Sequence, residues 1–242
     1  MTTDVLLDCE MTSLLQPQLL SIGLVTLDGR ECYAELDLAS DFGKARLAET
    51  AWDVRDGVIK DKWGLFPEAI CASEAAMGMR VGEWLLNVAA SDDSGRIELM
   101  FDYPTDYELL VGALEECGLW PRVQAVTGIR NIANETGLGV TVWTREAAFR
   151  ALRQRSMPLG RHHALADALA LRSAWKAWTL YADRHWQFVR MQSIVGVERN
   201  DWVFEWIALP APALGGRIPL DVLDQQDGLE LVLDALHRVE GG

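Results

Sequence analysis

Val5-Leu6-Leu7-Asp8-Cys9-Glu10, followed by a second apolar run at Leu19-Leu20-Ser21-Ile22-Gly23-Leu24-Val25, is the stretch whose reading decides the fold. The first run reads as a buried-type strand that ends in two carboxylates. Side chains alternate along a strand, so Asp8 and Glu10 share one face and Cys9 points to the other. Two like charges roughly 7 Å or less apart at the edge of an apolar sheet repel each other and resist desolvation, and a divalent cation relieves both costs. The plainer alternative is a strand ended by Asp8 with Glu10 as a solvated turn residue, since Asp-x-Glu is a common tripeptide. Working outward, Asp28-Gly29 separates the strand at 19–26 from another at 31–38, with Tyr33 and Leu36 in alternation, so the pairing is antiparallel.

The 242 residues suffice for one large domain or a medium one plus a small one, and 50% hydrophobic residues supply a sizeable core. A formal net charge of −14 repels polyanions at long range, which argues against a broad grip on duplex nucleic acid but not against a short, locally held strand. Cys9, Cys32, Cys71 and Cys117 lack CxxC spacing and read as reduced thiols rather than a disulfide frame or a zinc site. No apolar stretch approaches membrane-spanning length, and Met1-Thr2-Thr3-Asp4 supplies no basic leader, so the expectation is a soluble, cytoplasmic protein with no membrane partner.

Further along, signals weaken over 45–90, where Gly57, Gly64 and Pro67 interrupt any long element, until a helix over 75–89 behind a Ser73 cap. Ile97–Phe101 reads as a strand, followed by a helix over 107–117 that Thr105 or Asp106 caps. Helices are expected over 144–155 and 163–178. Strands first and helices later give an α/β class, a mixed sheet flanked by helices. A soft boundary falls between 176 and 187, dividing the chain into 1–183 and 184–242.

Asp106 at a helix start has a simple N-cap reading, and Asp102 at the strand end competes with it for any functional role. In Gly160-Arg161-His162-His163-Ala164-Leu165-Ala166-Asp167-Ala168, His163 and Asp167 share a helical face at i and i+4, whereas His162 converges with Asp167 only from the loop that Pro158 and Gly160 make plausible. Arg145, Arg150, Arg153, Arg155 and Arg161 precede this motif, as solvated surface or as contacts to the phosphates of a short strand.

Together these pieces resemble the DEDD exonucleases of the histidine subtype, the proofreading-exonuclease and oligoribonuclease relatives, over residues 4–180. The motifs that carry the resemblance are Asp8-Cys9-Glu10 and the pattern His162, Ala164, Asp167, Ala168; the second motif is represented by Phe101-Asp102 or by Thr105-Asp106, with Asp106 preferred for the helical phase of Tyr107-Glu108-Leu109-Leu110. The resemblance implies an RNase H-like fold. It implies Asp8, Glu10, Asp106 and Asp167 as ligands of two Mg²⁺ or Mn²⁺ ions and selects His162 over His163 as general base. It places Met11 and Thr12 against the terminal nucleotide of single-stranded RNA or DNA, RNA favoured, in a 3′-5′ exonuclease.

The chain end carries a second resemblance. Leu214-Gly215-Gly216-Arg217-Ile218-Pro219-Leu220, with Asp227-Gly228 opening an amphipathic helix of Leu229, Val232 and Leu236, looks like the toxin-binding domain of the MbcA/ParS/Xre antitoxins. It implies a small all-α domain at 184–242 that binds a protein toxin, with a homodimer as a secondary expectation. The alternative to an active enzyme is a decayed nuclease-like antitoxin or scaffold.

Overall fold

A computed structural model describes residues 2–137, 139–153 and 160–240. The chain is α/β, built on a mixed six-stranded sheet. Its strands are β1 Thr3–Met11, β2 Leu19–Thr26, β3 Glu31–Leu36, β4 Ile70–Cys71, β5 Ile97–Phe101 and β6 Thr127–Asn131, in the spatial order β4-β3-β2-β1-β5-β6. The pairs β1–β2 and β2–β3 are antiparallel, and β3–β4, β1–β5 and β5–β6 are parallel. The helices, in chain order, are α1 Asp41–Glu49, α2 Trp52–Val54, α3 Glu74–Ser91, α4 Pro104–Glu116, α5 Trp120–Val126, α6 Ala133–Thr136, α7 Gly139–Leu152, α8 Ala164–Asp183, α9 His185–Val195, α10 Asn200–Ile207, α11 Pro219–Val222 and α12 Gly228–Glu240. None of them is long and apolar enough to cross a membrane.

Two compact units result: Met1–Ala133 with Leu159–Leu169, and Asn134–Pro158 with Ala170–Gly242. This division differs from the 1–183/184–242 reading because Ala147, Ala177 and Leu180 belong to the same apolar cluster as Phe188, Phe204, Leu220 and Leu236.

In the first unit the strand alternation sorts the two faces. Val5, Leu7 and Cys9 of β1, Ile22 and Leu24 of β2 and Cys32, Ala34 and Leu36 of β3 join Met77, Val81 and Leu85 of α3 in one core. Leu6, Asp8, Glu10 and Tyr33 project from the opposite face. Tyr33 and Leu36 therefore lie on opposite faces rather than in alternation on one, and both are buried because the sheet is covered on both sides. Ser73 caps α3, its hydroxyl accepting from the Ala76 N–H at 3.2 Å. The cap expected at Thr105 or Asp106 does not form: Pro104 occupies the first turn of α4, where its fixed φ and missing N–H cost nothing, and no side chain caps Tyr103. Asp106 is thereby carried into the first helical turn, 2% exposed. The edge strand β6 gave no signal in sequence because Ile129 is its one large apolar side chain and is itself exposed. The helix read at 144–155 begins earlier, at Gly139, and Arg155 and Pro158 lie outside the described residues.

In the second unit the motif 214–220 folds as its composition requires. Gly215 and Gly216 adopt φ of 69° and 80°, a left-handed pair that L side chains resist. The Gly216 N–H donates to the Ala211 carbonyl, and the Ala211 N–H to the Arg217 carbonyl, both at 3.0 Å. Pro219 then starts α11. Asp221, just after it, accepts from Arg172 at 2.8 Å and Lys176 at 2.6 Å, and Asp224 pairs with Lys176 at 2.7 Å and Arg184 at 3.0 Å. Lys176 is 6% exposed, so its ammonium depends on these carboxylates.

Burial alone would raise the Asp221 carboxyl, but Lys176 and Arg172 outweigh it and hold the group below the usual carboxylate range. Its contribution to stability is therefore full above the unfolded value, about pH 4, and is lost as pH falls through the lower folded value. Asp221→Asn should cost about 1–3 kcal/mol near neutrality, allowing for partial exposure. In urea denaturation the gap between variant and wild type should close below about pH 4.

Candidate metal centre

Extending the β1–β5 register explains why acids collect here. Leu6 pairs with Met100 in the parallel ladder, so the next inward-facing residues, Asp8 and Asp102, emerge side by side at the carboxyl ends of two neighbouring strands. The helix that follows β5 turns Asp106 back toward the same point. From the other direction, α8 starts against β2: a Cβ on Gly23 would collide with the Ala164 carbonyl, and glycine alone permits that approach. Gly23 is the register partner of Asp8, so the first turn of α8, with Asp167, is delivered over Asp8.

Two carboxylate groups result, both containing Asp8. Oxygens of Asp8, Glu10 and Asp167 lie within 4.8 Å of one another, as do those of Asp8, Asp102 and Asp106. The choice between Asp102 and Asp106 posed by the sequence is thus met by both residues reaching Asp8. Burial pushes the Asp8 carboxyl well above the usual carboxylate range, and Asp167, Asp106, Glu10 and Asp102 push in the same direction. Burial likewise raises Glu10, helped by Asp167 and opposed by Lys62. An all-carboxylate oxygen set gathered at one buried point fits hard divalent cations such as Mg²⁺ or Mn²⁺. A bound cation would supply positive charge beyond that of Lys62.

The remaining residues singled out in sequence take different places. His163 is 3% exposed, its ring stacked 4.6 Å from Tyr33 and edge-on to Phe66, and neither ring nitrogen has a hydrogen-bond partner. Burial pushes its imidazole down to about 4, so it is neutral at ordinary pH and serves as packing. Its backbone N–H donates to Asp167 Oδ2 at 3.1 Å, which is how the i, i+4 spacing is realised. His162 is exposed, at φ 60°. Neither histidine joins a carboxylate group. Met11 and Thr12 are buried just past a register irregularity after Glu10, and Thr12 closes the loop to Gln18 through its N–H at 2.9 Å. Arg150 pairs with Glu205 at 2.8 Å in the second unit.

Three residues around the site had no advance reading as functional. Glu35, in cross-strand register with Ser21, which is itself opposite Glu10, is fully buried, accepting from the Tyr33 hydroxyl and the Gly64 N–H, each at 2.9 Å. Burial raises its carboxyl above the usual range. A charged residue two places after Tyr33 on an otherwise buried strand was the available signal for Glu35 and its Tyr33 partner. Lys62 sits in the Gly- and Pro-interrupted stretch that shows no periodicity.

Comparison with known proteins bears on the other end of the chain. Residues 194–242 match the Antitoxin Xre/MbcA/ParS C-terminal toxin-binding domain. Over 47 residues the chain is also 38% identical to the Prs ADP-ribosylating antitoxin of Sphingobium sp. (strain YBL2), an overlap of 19% of this chain and 30% of that protein. The chain thus spans less than a third of that relative's length. The family match covers the toxin-binding domain at the chain end, and neither match bears on the exonuclease-type resemblance over 4–180.

Gly23→Ala should displace the start of α8 and carry Asp167 away from Asp8. The expected result is a loss of about 1–3 kcal/mol in stability together with weaker Mn²⁺ binding by calorimetry. A folded Gly23→Ala protein with wild-type Mn²⁺ affinity would show that the close approach does not position the site.

Proposed function

We propose that this protein is an antitoxin-type protein whose C-terminal domain binds a protein toxin and whose N-terminal unit is a metal-dependent 3′-5′ exonuclease acting on short single-stranded RNA. Toxin binding is the better supported half, and the match of residues 194–242 to the toxin-binding domain carries it. The nuclease half is carried by a separate observation, the two carboxylate groups that share Asp8. An RNase H-like reading of the sheet is supported by the antiparallel β1–β2–β3 followed by parallel β5 and β6. A nuclease that had decayed into a scaffold would be free to lose its acids, since their mutual repulsion is a continuing cost. Asp8, Glu10, Asp102, Asp106 and Asp167 are all present and converge.

In this reading Asp8, Glu10 and Asp167 would hold one cation and Asp8, with Asp106 and Asp102, a second. When bound, such ions supply Lewis acidity and neutralise charge on the phosphodiester. The chain's own contributions are to orient the strand end, to exclude bulk water through the buried walls around Glu10 and Asp106, and to accept the proton of the attacking water at the His162 imidazole. His163, buried and neutral, takes no proton. The formal charge of −14 favours short substrates, which bring few phosphates into the repulsive field.

Mononucleotides should appear from the 3′ end of a short oligoribonucleotide only with Mg²⁺ or Mn²⁺, and Asp8→Asn or Asp167→Asn should abolish release while circular dichroism stays native. His162→Ala should cost about 100-fold or more and His163→Ala far less at equal folded fraction. Retained turnover in a folded Asp8→Asn protein would remove the nuclease half and leave the antitoxin half standing.

For that second half, Gly216→Val should break the 211–217 turn. Partner capture from the source cell should be lost with it, while metal binding persists. Unchanged capture by that variant would detach the toxin-binding assignment from this motif.

A further inference from the structure

His162 occupies a conformation that needs an explanation. It is one of three non-glycine residues with positive φ among those described, at 60°, and left-handed backbone costs a residue with a Cβ on the order of 1 kcal/mol or more. Such a residue persists where its surroundings hold it, and here both peptide groups flanking His162 are gripped. The preceding peptide presents the Arg161 carbonyl, which accepts from Lys62 Nζ at 2.6 Å. The following peptide presents the His163 N–H, which donates to Asp167 Oδ2 at 3.1 Å. Two hydrogen bonds on either side of one Cα fix its φ and ψ together.

Lys62 is itself anchored. Its ammonium also donates to the Gly57 carbonyl, so it ties the irregular segment around 57–64 to the loop before α8. That segment is fastened to β3 at two further points: Trp63 Nε1 donates to the Leu36 carbonyl at 2.8 Å, and the Gly64 N–H donates to Glu35 Oε1 at 2.9 Å. Glu35 is fully buried and braced by Tyr33, on whose ring His163 stacks. The strap therefore begins on the sheet, crosses to the histidine loop through one amine, and returns to the sheet through the aromatic stack.

We propose that Lys62 is a positioning residue that holds His162 in its left-handed conformation, with Asp167 as the opposing grip, so that this clasp sets the direction in which the His162 side chain leaves the backbone. The role of His162 rests on the nuclease reading; the conformational clasp does not. Lys62 also acts on Glu10 as a nearby positive charge that lowers its carboxyl, so the double-variant comparison below separates that effect from positioning of His162. A lysine can serve because its ammonium carries three donors, enough to span two carbonyls.

The test uses the full-length protein and two independent readouts. By NMR, Lys62→Met should shift the His162 amide–Hα coupling away from its left-handed value and lower protection of the His163 amide at least about tenfold. Unchanged coupling and protection would overturn the clasp. By kinetics on a short oligoribonucleotide with Mn²⁺, Lys62→Met should lower kcat about 10- to 100-fold with KM moved less than about twofold, and Lys62→Met combined with His162→Ala should be no slower than His162→Ala alone. Multiplying losses would mean that Lys62 acts independently of His162, through substrate or general stability, and would overturn its positioning role. If the wild type released no nucleotide while the NMR result held, the nuclease reading would fail and the clasp would stand. Should Lys62→Met not fold, Lys62→Gln, which keeps a two-donor amide but no charge, carries the same comparison with a smaller expected shift.

Discussion

The repulsion among five carboxylates gathered around the end of β1 is the constraint on which the rest of the first unit depends. Two unit charges about 4 Å apart interact by roughly 4 kcal/mol at an effective dielectric typical of protein. A domain whose whole stability is about 5–15 kcal/mol cannot carry several such terms uncompensated. The chain has two ways out, protonation or a cation. The upward displacement of Asp8 and Glu10 corresponds to the first, and the all-oxygen set is what the second would need. Neither would be needed if the acids were spread over the surface. Their concentration therefore has to be enforced by the fold, and the fold has to be stable enough elsewhere to enforce it.

That enforcement is divided between the two faces of the sheet. One face is a continuous apolar core of β1, β2, β3 and β5 against α3, α4 and α5, with Leu7, Ile22, Leu85 and Leu99 essentially inaccessible. It carries the stabilising burial, and nothing polar interrupts it along β1 except at the strand end. The other face mixes buried Leu6, Val25 and Met100 with polar groups: Asp8 and Glu10, then Ser21, then Tyr33 and Glu35. Gly23 is the hinge between the two requirements, since leaving out one side chain lets α8 come close enough to place Asp167 without disturbing the apolar side.

Much of this was legible in the sequence where a single period dominated. β2 and β5 begin and end where the apolar runs do, and Ser73 capped α3 as its position suggested. The pair Asp8 and Glu10 was legible because charge at the end of an apolar run has few structural explanations. What escaped notice depended on contacts between segments far apart in sequence. Whether Asp102 or Asp106 mattered was undecidable from spacing, because the parallel β1–β5 register and the early start of α4 at Pro104 jointly bring both within reach. The arginines ahead of α8 read as one basic element in sequence, yet Arg150 is committed to Glu205. Lys62 had no signal at all, since the Gly57 and Arg161 groups to which it donates are backbone carbonyls and any sequence supplies those.

The second unit shows why a family match and a folding unit need not share boundaries. The toxin-binding domain matches from residue 194, but the two acids in and after α11, Asp221 and Asp224, are neutralised by Arg172, Lys176 and Arg184, all upstream of the match. The apolar cluster reaches upstream too, through Ala147, Ala177, Leu180 and Phe188, the last stacked 4.5 Å from Phe204. An isolated 194–242 segment would expose the counterpart of every one of these contacts, leaving Asp221 without its cations and Phe204 without its stacking partner. The turn at Gly215-Gly216 would survive such an excision, because its hydrogen bonds close within 211–217. Local geometry and global stability thus come from different parts of the chain. The motif keeps its shape from its own glycines, while the charge compensation and apolar cover that stabilise α11 come from helices that the family match does not include.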